Sequence, residues 1–236
     1  FKIVKKLLRN IFNLISIGTP YYIIINYIKN YFPNYRKKKE CLKIDEKIYL
    51  NFKSEDISKK WFTNNLYFLK KNLSSHVFEN LLEIGSYEGR SAIFFADLFK
   101  DSKISCVDTW VGSDEHKHIN FNSIENNFDH NIKPLKDKGK LIKFKMTSDE
   151  FFKINNNKFD FIYIDGDHSN DQVLKDLKNS WSFLNNNGFL LIDDYMWWYY
   201  KDLRNNPASS VNSFIKDNIN QINKLIVWHQ VLIQKK

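Results

Sequence analysis

The sequence predicts an α/β fold in which helices cover both faces of a mostly parallel sheet. From about residue 80 onward, short runs rich in Ile, Val, Leu and Phe alternate with amphipathic helical segments. Runs that are apolar throughout are typical of parallel strands buried on both faces. The chain of 236 residues is also long enough for one such domain with a full core and an appendage.

Seven strands are predicted, the last two as an antiparallel hairpin at one edge of the sheet. The strands are expected at residues 80–85, 103–108, 141–145, 159–164 and 189–193, with the hairpin over residues 224–233. Helices are expected between them at residues 90–99, 122–131, 148–153, 171–184 and 211–219. A further helix, at residues 56–73, precedes the first strand.

The charge divides the chain into an N-terminal extension, residues 1–43, and a domain over residues 44–236. The extension contains ten Lys or Arg and one acid, Glu40, and so carries the whole net charge of +9. The rest of the chain balances, with 26 basic and 26 acidic residues. Because nucleic-acid enzymes usually spread a basic face over the folded body, the sequence argues against a nucleic-acid partner.

The extension contains an uncharged apolar stretch at residues 10–28. Polar residues interrupt it, which predicts two short amphipathic helices that meet at Thr19 and Pro20. Three interpretations stay open: peripheral membrane contact through residues 1–40, packing on the domain or on a second subunit, and a membrane span. Residues 36–39 are expected to form a solvated linker.

The two cysteines, Cys41 and Cys106, have no spacing typical of zinc ligands or of a disulfide framework. A reducing compartment is therefore the expectation. This indicates the cytoplasm, at the inner face of a membrane if the basic extension binds lipid.

Candidate functional residues follow the strands, because open α/β sheets bind ligands at the carboxyl ends of their strands. The first strand leads into a glycine turn, in which Gly85 and Gly89 permit close approach of a ligand to the backbone at the start of a helix. The negative charge of Glu83 would repel a phosphate and attract a cationic ligand. Taken alone, the pattern is equally typical of an ordinary strand-to-helix turn.

The next two strand ends carry polar side chains suited to a nucleoside. Asp108 is placed to accept hydrogen bonds from both hydroxyls of a ribose. Ser148 is placed to contact the edge of an adenine, to cap the following helix, or to do both.

Carboxylates cluster after the fourth and fifth strands. Asp165, Asp193 and Asp194 would repel one another in a cleft, and a cation such as Mg²⁺ relieves that repulsion. Asp167 and His168 are candidates for a general base, and either could instead cap the next helix.

Two loops are candidates for the acceptor side. The loop around residues 112–121, with Asp114 to His118, is expected to be a lid or substrate loop rather than a metal site. The aromatic run from Trp197 to Tyr200 could line an acceptor pocket or cover the edge of the core.

Taken in this order, the residues resemble class I S-adenosylmethionine-dependent methyltransferases, which have a Rossmann-like fold. More narrowly, they resemble the group of macrocin and novobiocin sugar O-methyltransferases and cephalosporin-hydroxylase-like proteins. The resemblance covers roughly residues 61–235. Its carriers are Trp61-Phe62, Leu82 to Ser91, Val107-Asp108-Thr109-Trp110, Phe128 to Ile132, Phe159 to His168, Asp193-Asp194-Tyr195 and Gln230 to Ile233.

The resemblance implies two cofactors, S-adenosylmethionine and Mg²⁺, and assigns residues to them. Cofactor contacts are expected at Glu83, Gly85, Ser86, Tyr87, Glu88, Gly89, Arg90, Ser91, Asp108, Thr109, Ser148 and Asp165. The metal ligands are expected to be Asp165, Asp193 and Asp194, and the base is expected to be His168 or Asp167.

The implied reaction is methyl transfer to a hydroxyl of a small molecule, sugar or glycan. The fourth strand is not followed by a stretch like Asn-Pro-Pro-Tyr, which disfavours methylation of amino groups of nucleic acid or protein. Two alternatives stay open: a non-methylating, hydroxylase-like relative, and a catalytically silent cofactor-binding module at a membrane.

Overall fold

A computed structural model describes residues 2–55, 61–112 and 121–236, which form one seven-stranded sheet and nine α-helices. The strands are β1 (Asn80–Ile84), β2 (Lys103–Asp108), β3 (Leu141–Lys145), β4 (Phe159–Ile164), β5 (Leu184–Ile192), β6 (Ile222–Val227) and β7 (Val231–Lys235). The helices are α1 (Lys2–Ser16), α2 (Tyr21–Tyr35), α3 (Lys38–Ile48), α4 (Leu66–Leu73), α5 (Arg90–Leu98), α6 (Phe121–Asp137), α7 (Ser148–Ile154), α8 (Asn170–Phe183) and α9 (Pro207–Asn218).

The strand order across the sheet is β3-β2-β1-β4-β5-β7-β6. The first five strands are parallel, and β7 pairs antiparallel with β5 and with β6. The central strand β1 is buried along most of its length, as expected for a parallel strand covered on both faces. The predicted fold, a Rossmann-like sheet with an antiparallel terminal hairpin and N-terminal helices, is confirmed.

The three largest differences between predicted and observed boundaries concern β5, α6 and the region before β1. The fifth strand begins at Leu184 rather than residue 189, because an irregular pairing lets Leu184 lie opposite Phe159 in β4. Helix α6 continues to Asp137, through Pro134. The predicted helix at 56–73 is observed as a 3₁₀ turn, Phe62–Asn65, followed by α4, and residues 56–60 lie outside the described residues.

The extension forms two helices that meet at Thr19 and Pro20, as predicted, and they pack on the rest of the protein. The amide of Asn26 donates to the carbonyl of Leu225 at 2.9 Å, and its oxygen accepts from the N–H of Val227 at 2.8 Å. This side chain therefore satisfies the open edge of β6, which otherwise presents unpaired backbone groups. The packing interpretation matches these contacts.

The predicted linker at residues 36–39 is wrong, because α3 begins at Lys38. The proposed division between residues 43 and 44 falls inside α3, and apolar side chains of the extension belong to the same core as the sheet. Among the described residues, no helix is both long enough and apolar enough to cross a bilayer.

The bond between Asn26 and β6 yields a stability prediction. Replacing Asn26 with Ala should lower the free energy of unfolding by about 2 kcal/mol, since two backbone groups of a covered strand edge lose their partners. A matched control is Asn72→Ala, which removes one bond to a carbonyl of its own helix and should cost less than about 1 kcal/mol. Urea unfolding of both variants measures the difference. Equal losses would show that Asn26 does not hold the edge.

Candidate active site

A cavity of about 1240 Å³ lies at the carboxyl ends of the parallel strands. Every predicted site residue lines it except Glu83 and Gly89. The cavity therefore brings the glycine turn, the acid that ends β2 and the acids that follow β4 and β5 into one site. Its far wall comes from the N-terminal helices, with Lys6 of α1 and Lys38 of α3.

The glycine turn is fixed by close backbone approach. Gly85 has φ +84°, and a Cβ there would lie 2.0 Å from the carbonyl oxygen of Asp165, so only glycine fits. Gly89 also has positive φ, and a Cβ there would meet Ile132 and Phe128 of α6 at 3.0 and 3.1 Å. Gly89 thus packs the turn against α6, outside the cavity.

Asp108 organises the turn as well as lining the cavity. Its carboxylate accepts from the backbone N–H of Tyr87 at 2.8 Å and of Trp110 at 2.7 Å. Both donors have positive φ, 46° and 51°, a strained conformation for residues other than glycine. Burial raises the pKa of Asp108, and the backbone donors oppose that rise. Further lone pairs of the carboxylate remain for a ligand hydroxyl.

Glu88 is committed to internal hydrogen bonds. Its carboxylate accepts from the hydroxyl of Ser54 and the N–H of Glu55, both at 2.6 Å, and from the amide of Asn127 at 2.9 Å. The side chain is buried. Glu88 therefore ties the chain before α4 and helix α6 to the glycine turn, a role that its position in the sequence did not reveal.

Arg90, at the start of α5, forms an ion pair with Asp45 of α3. Its guanidinium also lies 4.0 Å from the ring centroid of Tyr49, whose hydroxyl donates to the Arg90 carbonyl at 2.7 Å. The hydroxyl of Thr63 donates to the carboxylate of Asp45 at 2.5 Å. Arg90 thus joins α3 to the glycine turn while lining the cavity.

Glu83 lies beneath the turn and is almost fully buried. Burial raises the pKa of this carboxyl to about 7, although the hydroxyls of Ser86 and Ser91 and the Cys106 thiol oppose the rise. The Cys106 thiol donates to it at 3.4 Å. Glu83 does not line the cavity, because the glycine turn lies between its carboxyl and the cavity.

The acids after β4 and β5 meet around His168. Its Nε2 lies 3.5 Å from Asp165 Oδ1 and 3.3 Å from Asp194 Oδ2. One ligand atom from each of these three side chains lies within 4.8 Å of the others. Asp194 has φ +50°, a strained conformation at a functional position. Asp165 is 29% and Asp194 40% exposed, so both can contact a ligand in the cavity.

Asp193 lies behind that group and is held by protein donors. Its carboxylate accepts from Gln230 Nε2 at 2.8 Å and from the N–H of Asp194 at 2.7 Å, and it contacts the hydroxyl of Tyr163. The same hydroxyl donates to Asp165 at 2.9 Å. Tyr163 and Gln230 were not predicted. Tyr163 lies in β4, and Gln230 lies in the turn between β6 and β7. In each case the available signal is a polar side chain within an apolar stretch of sequence.

The charges of this group fit a divalent cation. Burial, followed by the neighbouring carboxylate, raises the pKa of both Asp165 and Asp193. A raised pKa means that the ionised forms are destabilised, and a bound cation would reverse that effect. Carboxylate oxygens are the ligands that Mg²⁺ prefers. The residues present therefore suit the metal that the resemblance implies.

The side of the cavity predicted for adenine contains polar residues beyond the predicted Ser148. Thr147, not Ser148, caps α7, in a capping box with Glu150. Ser148 instead accepts from Gln172 at 3.2 Å, and Gln172 also donates to Asp176 at 3.2 Å. Burial raises the pKa of Asp176, which was not predicted as a site residue and lines the cavity, to about 6.

Aromatic rings form the wall beside His168. Trp197 packs on His168 with ring centroids 5.1 Å apart and stacks on Tyr199 at 4.9 Å. Buried Asn206 holds this loop, since its oxygen accepts from the N–H of Tyr199 and of Tyr200. Trp197 and Tyr199 line the cavity, as the pocket interpretation expected. The predicted lid falls mostly on residues 113–120, which lie outside the described residues.

The sheet order and the position of the cavity are those of an open α/β sheet that binds its ligand at the carboxyl ends of the strands. Residues 82–195 match the model of a protein family described as a methyltransferase domain. This match confirms the predicted enzyme class, a methyltransferase, for that part of the chain. An uncharacterized protein of Acanthamoeba polyphaga mimivirus is 24% identical over 176 residues, 67% of this chain and 74% of that protein.

Solved methyltransferase structures share the fold. An O-methyltransferase from Bacillus cereus in complex with SAH is 14% identical, covers 85% of this chain and 91% of its own, and has a TM-score of 0.52. TomG from Streptomyces achromogenes, in complex with SAM, is 11% identical with a TM-score of 0.54, over 84% of this chain and 90% of its own. MycE from the mycinamycin pathway, in complex with Mg and SAH, is 14% identical with a TM-score of 0.53, over 83% of this chain and 54% of its own.

The buried Glu83 yields a pH-dependent stability prediction. Its pKa rises on folding, from an ordinary 4.5 to about 7, so the folded state binds more protons between these values and stability falls as pH rises through them. Glu83→Gln removes this cost. At pH 8 the variant should be more stable than the wild type by about 3 kcal/mol, with the difference vanishing near pH 4.5.

Urea unfolding at several pH values tests this expectation. The control is Glu79→Gln, since Glu79 is exposed and its replacement should change stability by less than about 0.5 kcal/mol at any pH. A Glu83→Gln effect that is the same at pH 5 and pH 8 would contradict a raised pKa.

Proposed function

We propose that this chain is an S-adenosylmethionine-dependent O-methyltransferase, assisted by a divalent cation, that acts on a hydroxyl of a small molecule, sugar or glycan. One observation carries the proposal: the group of Asp165, His168 and Asp194 shares its cavity with the glycine turn. A methyl donor on the turn and an acceptor on the acidic group would therefore meet. The resemblance to macrocin and novobiocin enzymes and the Mg in the MycE structure support the same assignment.

The cofactor contacts follow from the walls of the cavity. Residues 85–91 would hold the methionine part, with the N-terminus of α5 facing it. Asp108 would accept from the ribose hydroxyls with the lone pairs that its two backbone donors leave open. Ser148 and Thr109 would border the adenine and ribose, and Glu83 would favour the positive sulfonium through its charge rather than by contact.

The reaction is a displacement at the methyl carbon. The acceptor oxygen forms a bond to that carbon as the bond from carbon to sulfur breaks, the electron pair stays on sulfur, and the hydroxyl proton leaves to a base. We assign that base to His168, because two carboxylates at 3.3 and 3.5 Å would stabilise the imidazolium that forms. Asp167, the other candidate, is exposed and accepts from the N–H of Ser169 at 2.7 Å.

Asp165 and Asp194 would hold the cation, with Asp193 completing the acidic set. A divalent cation bound there would lower the pKa of an acceptor hydroxyl and orient it. Tyr163 and Gln230 act on Asp193 and Asp165 by fixing their orientation, as groups behind metal ligands commonly do. Trp197 and Tyr199 offer flat apolar faces suited to a sugar ring, and the acceptor class proposed here relies on them.

The first test separates cofactor binding from cation binding. Calorimetric titration with S-adenosylmethionine should give a micromolar Kd for the wild type and for Asp193→Asn/Asp194→Asn within about threefold, because the variant leaves the glycine turn and Asp165 intact. The same double variant should lose measurable Mg²⁺ binding. The matched control is Asp149→Asn, an acid that lines the cavity outside the group, which should retain Mg²⁺ binding.

Absence of S-adenosylmethionine binding by the folded wild type would overturn the proposed function in favour of the hydroxylase-like or silent alternatives. Mg²⁺ binding that survives in the double variant would refute the cation site alone. A screen of sugars, nucleotide sugars and glycans for uptake of labelled methyl groups, with and without chelator, then identifies the acceptor class.

The second test distinguishes the two base candidates. On an acceptor found in that screen, His168→Ala should lower kcat by about 10²- to 10⁴-fold, the usual contribution of a general base. Asp167→Ala should change kcat by less than about tenfold, since that side chain only bonds its own loop. Partial recovery of the His168→Ala rate with added imidazole would identify a missing proton acceptor. The reverse order of the two losses would assign the base to Asp167.

A further inference from the structure

Helix α1 presents apolar side chains on two sides. Leu7 and Leu14 point into the core and are buried. Val4, Leu8, Phe12 and Ile15 form a second row at helical spacing that faces outward. We call these four residues the outer row; Leu8 is 60%, Phe12 67% and Ile15 60% exposed. An outward row of this size on a helix that is already anchored marks an interaction surface.

The inner side of α1 is fixed, so the outer row cannot turn inward. The amide of Asn10 donates to the buried hydroxyl of Tyr27 at 2.7 Å, and the hydroxyl of Tyr31 donates to the carbonyl of Ile3 at 2.9 Å. These bonds hold α1 against α2. The outer row is therefore a permanent feature of the surface.

Basic side chains border the outer row on one side. Lys5 and Arg9 follow Val4 and Leu8 by one position each, so they occupy the neighbouring row of the helix, and both are exposed. Residues 2–39 contain no Asp or Glu. An apolar stripe flanked by Lys and Arg is the pattern of a helix that lies in the interface of an anionic membrane.

We propose that α1 docks the protein on an anionic lipid surface, with the outer row in the headgroup region and Lys5 and Arg9 against lipid phosphates. The 15 residues of α1 span about 22 Å, less than the hydrocarbon core. The helix therefore lies on the surface. A symmetric contact between two copies through this face would oppose the two basic rows with no acid of α1 or α2 to offset them, whereas lipid phosphates neutralise them.

The docking face and the cavity share a helix. Lys6, which lies on the side of α1 away from the outer row, lines the cavity together with Tyr35 of α2. Docking through α1 would hold this wall of the cavity close to the lipid surface.

Vesicle co-sedimentation tests the proposal with the full chain. Vesicles of phosphatidylcholine with phosphatidylglycerol should retain the wild type, and vesicles of phosphatidylcholine alone should retain it at least about tenfold less, because the two cations lose their phosphate partners. Leu8→Ser/Phe12→Ser should weaken binding to the anionic vesicles by about tenfold or more. Lys5→Gln/Arg9→Gln should weaken it by a similar factor and remove most of its dependence on salt.

The matched control is Val77→Ser/Ile154→Ser, which removes exposed apolar side chains away from α1 and should leave vesicle binding unchanged. All variants alter exposed side chains, and circular dichroism melting confirms that each is folded. Equal retention of the wild type on neutral and anionic vesicles would overturn the proposal. So would a dimer in light scattering that Leu8→Ser/Phe12→Ser dissociates while vesicle binding is absent.

Discussion

The site depends on the close approach of Gly85 to the backbone of Asp165. The N–H of Gly85 donates to Val107, that of Asp165 to Ile84, and that of Asp193 to Ile164, all at 2.8–2.9 Å. Sheet hydrogen bonding therefore continues one residue beyond the strands, into the functional positions. A Cβ at Gly85 would lie 2.0 Å from the Asp165 carbonyl, so the two halves of the cavity can meet only where the side chain is absent. The glycine turn and the acidic group are placed by the same constraint.

Within the glycine turn, residues 85–90 have different structural roles. Gly85 and Ser86 border the cavity, and Gly89 packs against α6. The carboxylate of Glu88 accepts hydrogen bonds from Ser54, Glu55 and Asn127. Arg90 joins α3 through Asp45. Because a turn with strained residues such as Tyr87 must be held from outside, these internal bonds help to fix the shape of the turn. The polar residues of the motif serve the shape of the turn as much as its ligand.

The sequence predicted strands and the residues at their ends, and it missed side chains whose hydrogen-bond partners are distant in the chain. Three parallel strands, β2, β3 and β4, were predicted with their observed bounds, because apolar runs flanked by polar strand ends are short-range signals. Strand ends also placed Asp108, Asp165 and Asp194 in one cavity, since a parallel sheet gathers its carboxyl ends. Asn26 and Gln230 could not be found in this way. Their partners lie 199 and 37 residues away, and an isolated polar residue in an apolar segment does not indicate which group it satisfies.

The N-terminal extension shows how one helix can pack on the domain and still present an apolar face. Its apolar and polar periodicity was compatible with a membrane interface and with packing, because α1 has apolar residues around about half of its circumference. Leu14 is buried and Phe12 is exposed on the same helix. Burial of the inner side fixes the direction of the outer row, while Lys6 brings the helix to the cavity wall. Packing on the domain therefore gives the outer face a defined orientation relative to the cavity, and this packing is compatible with the docking that we propose.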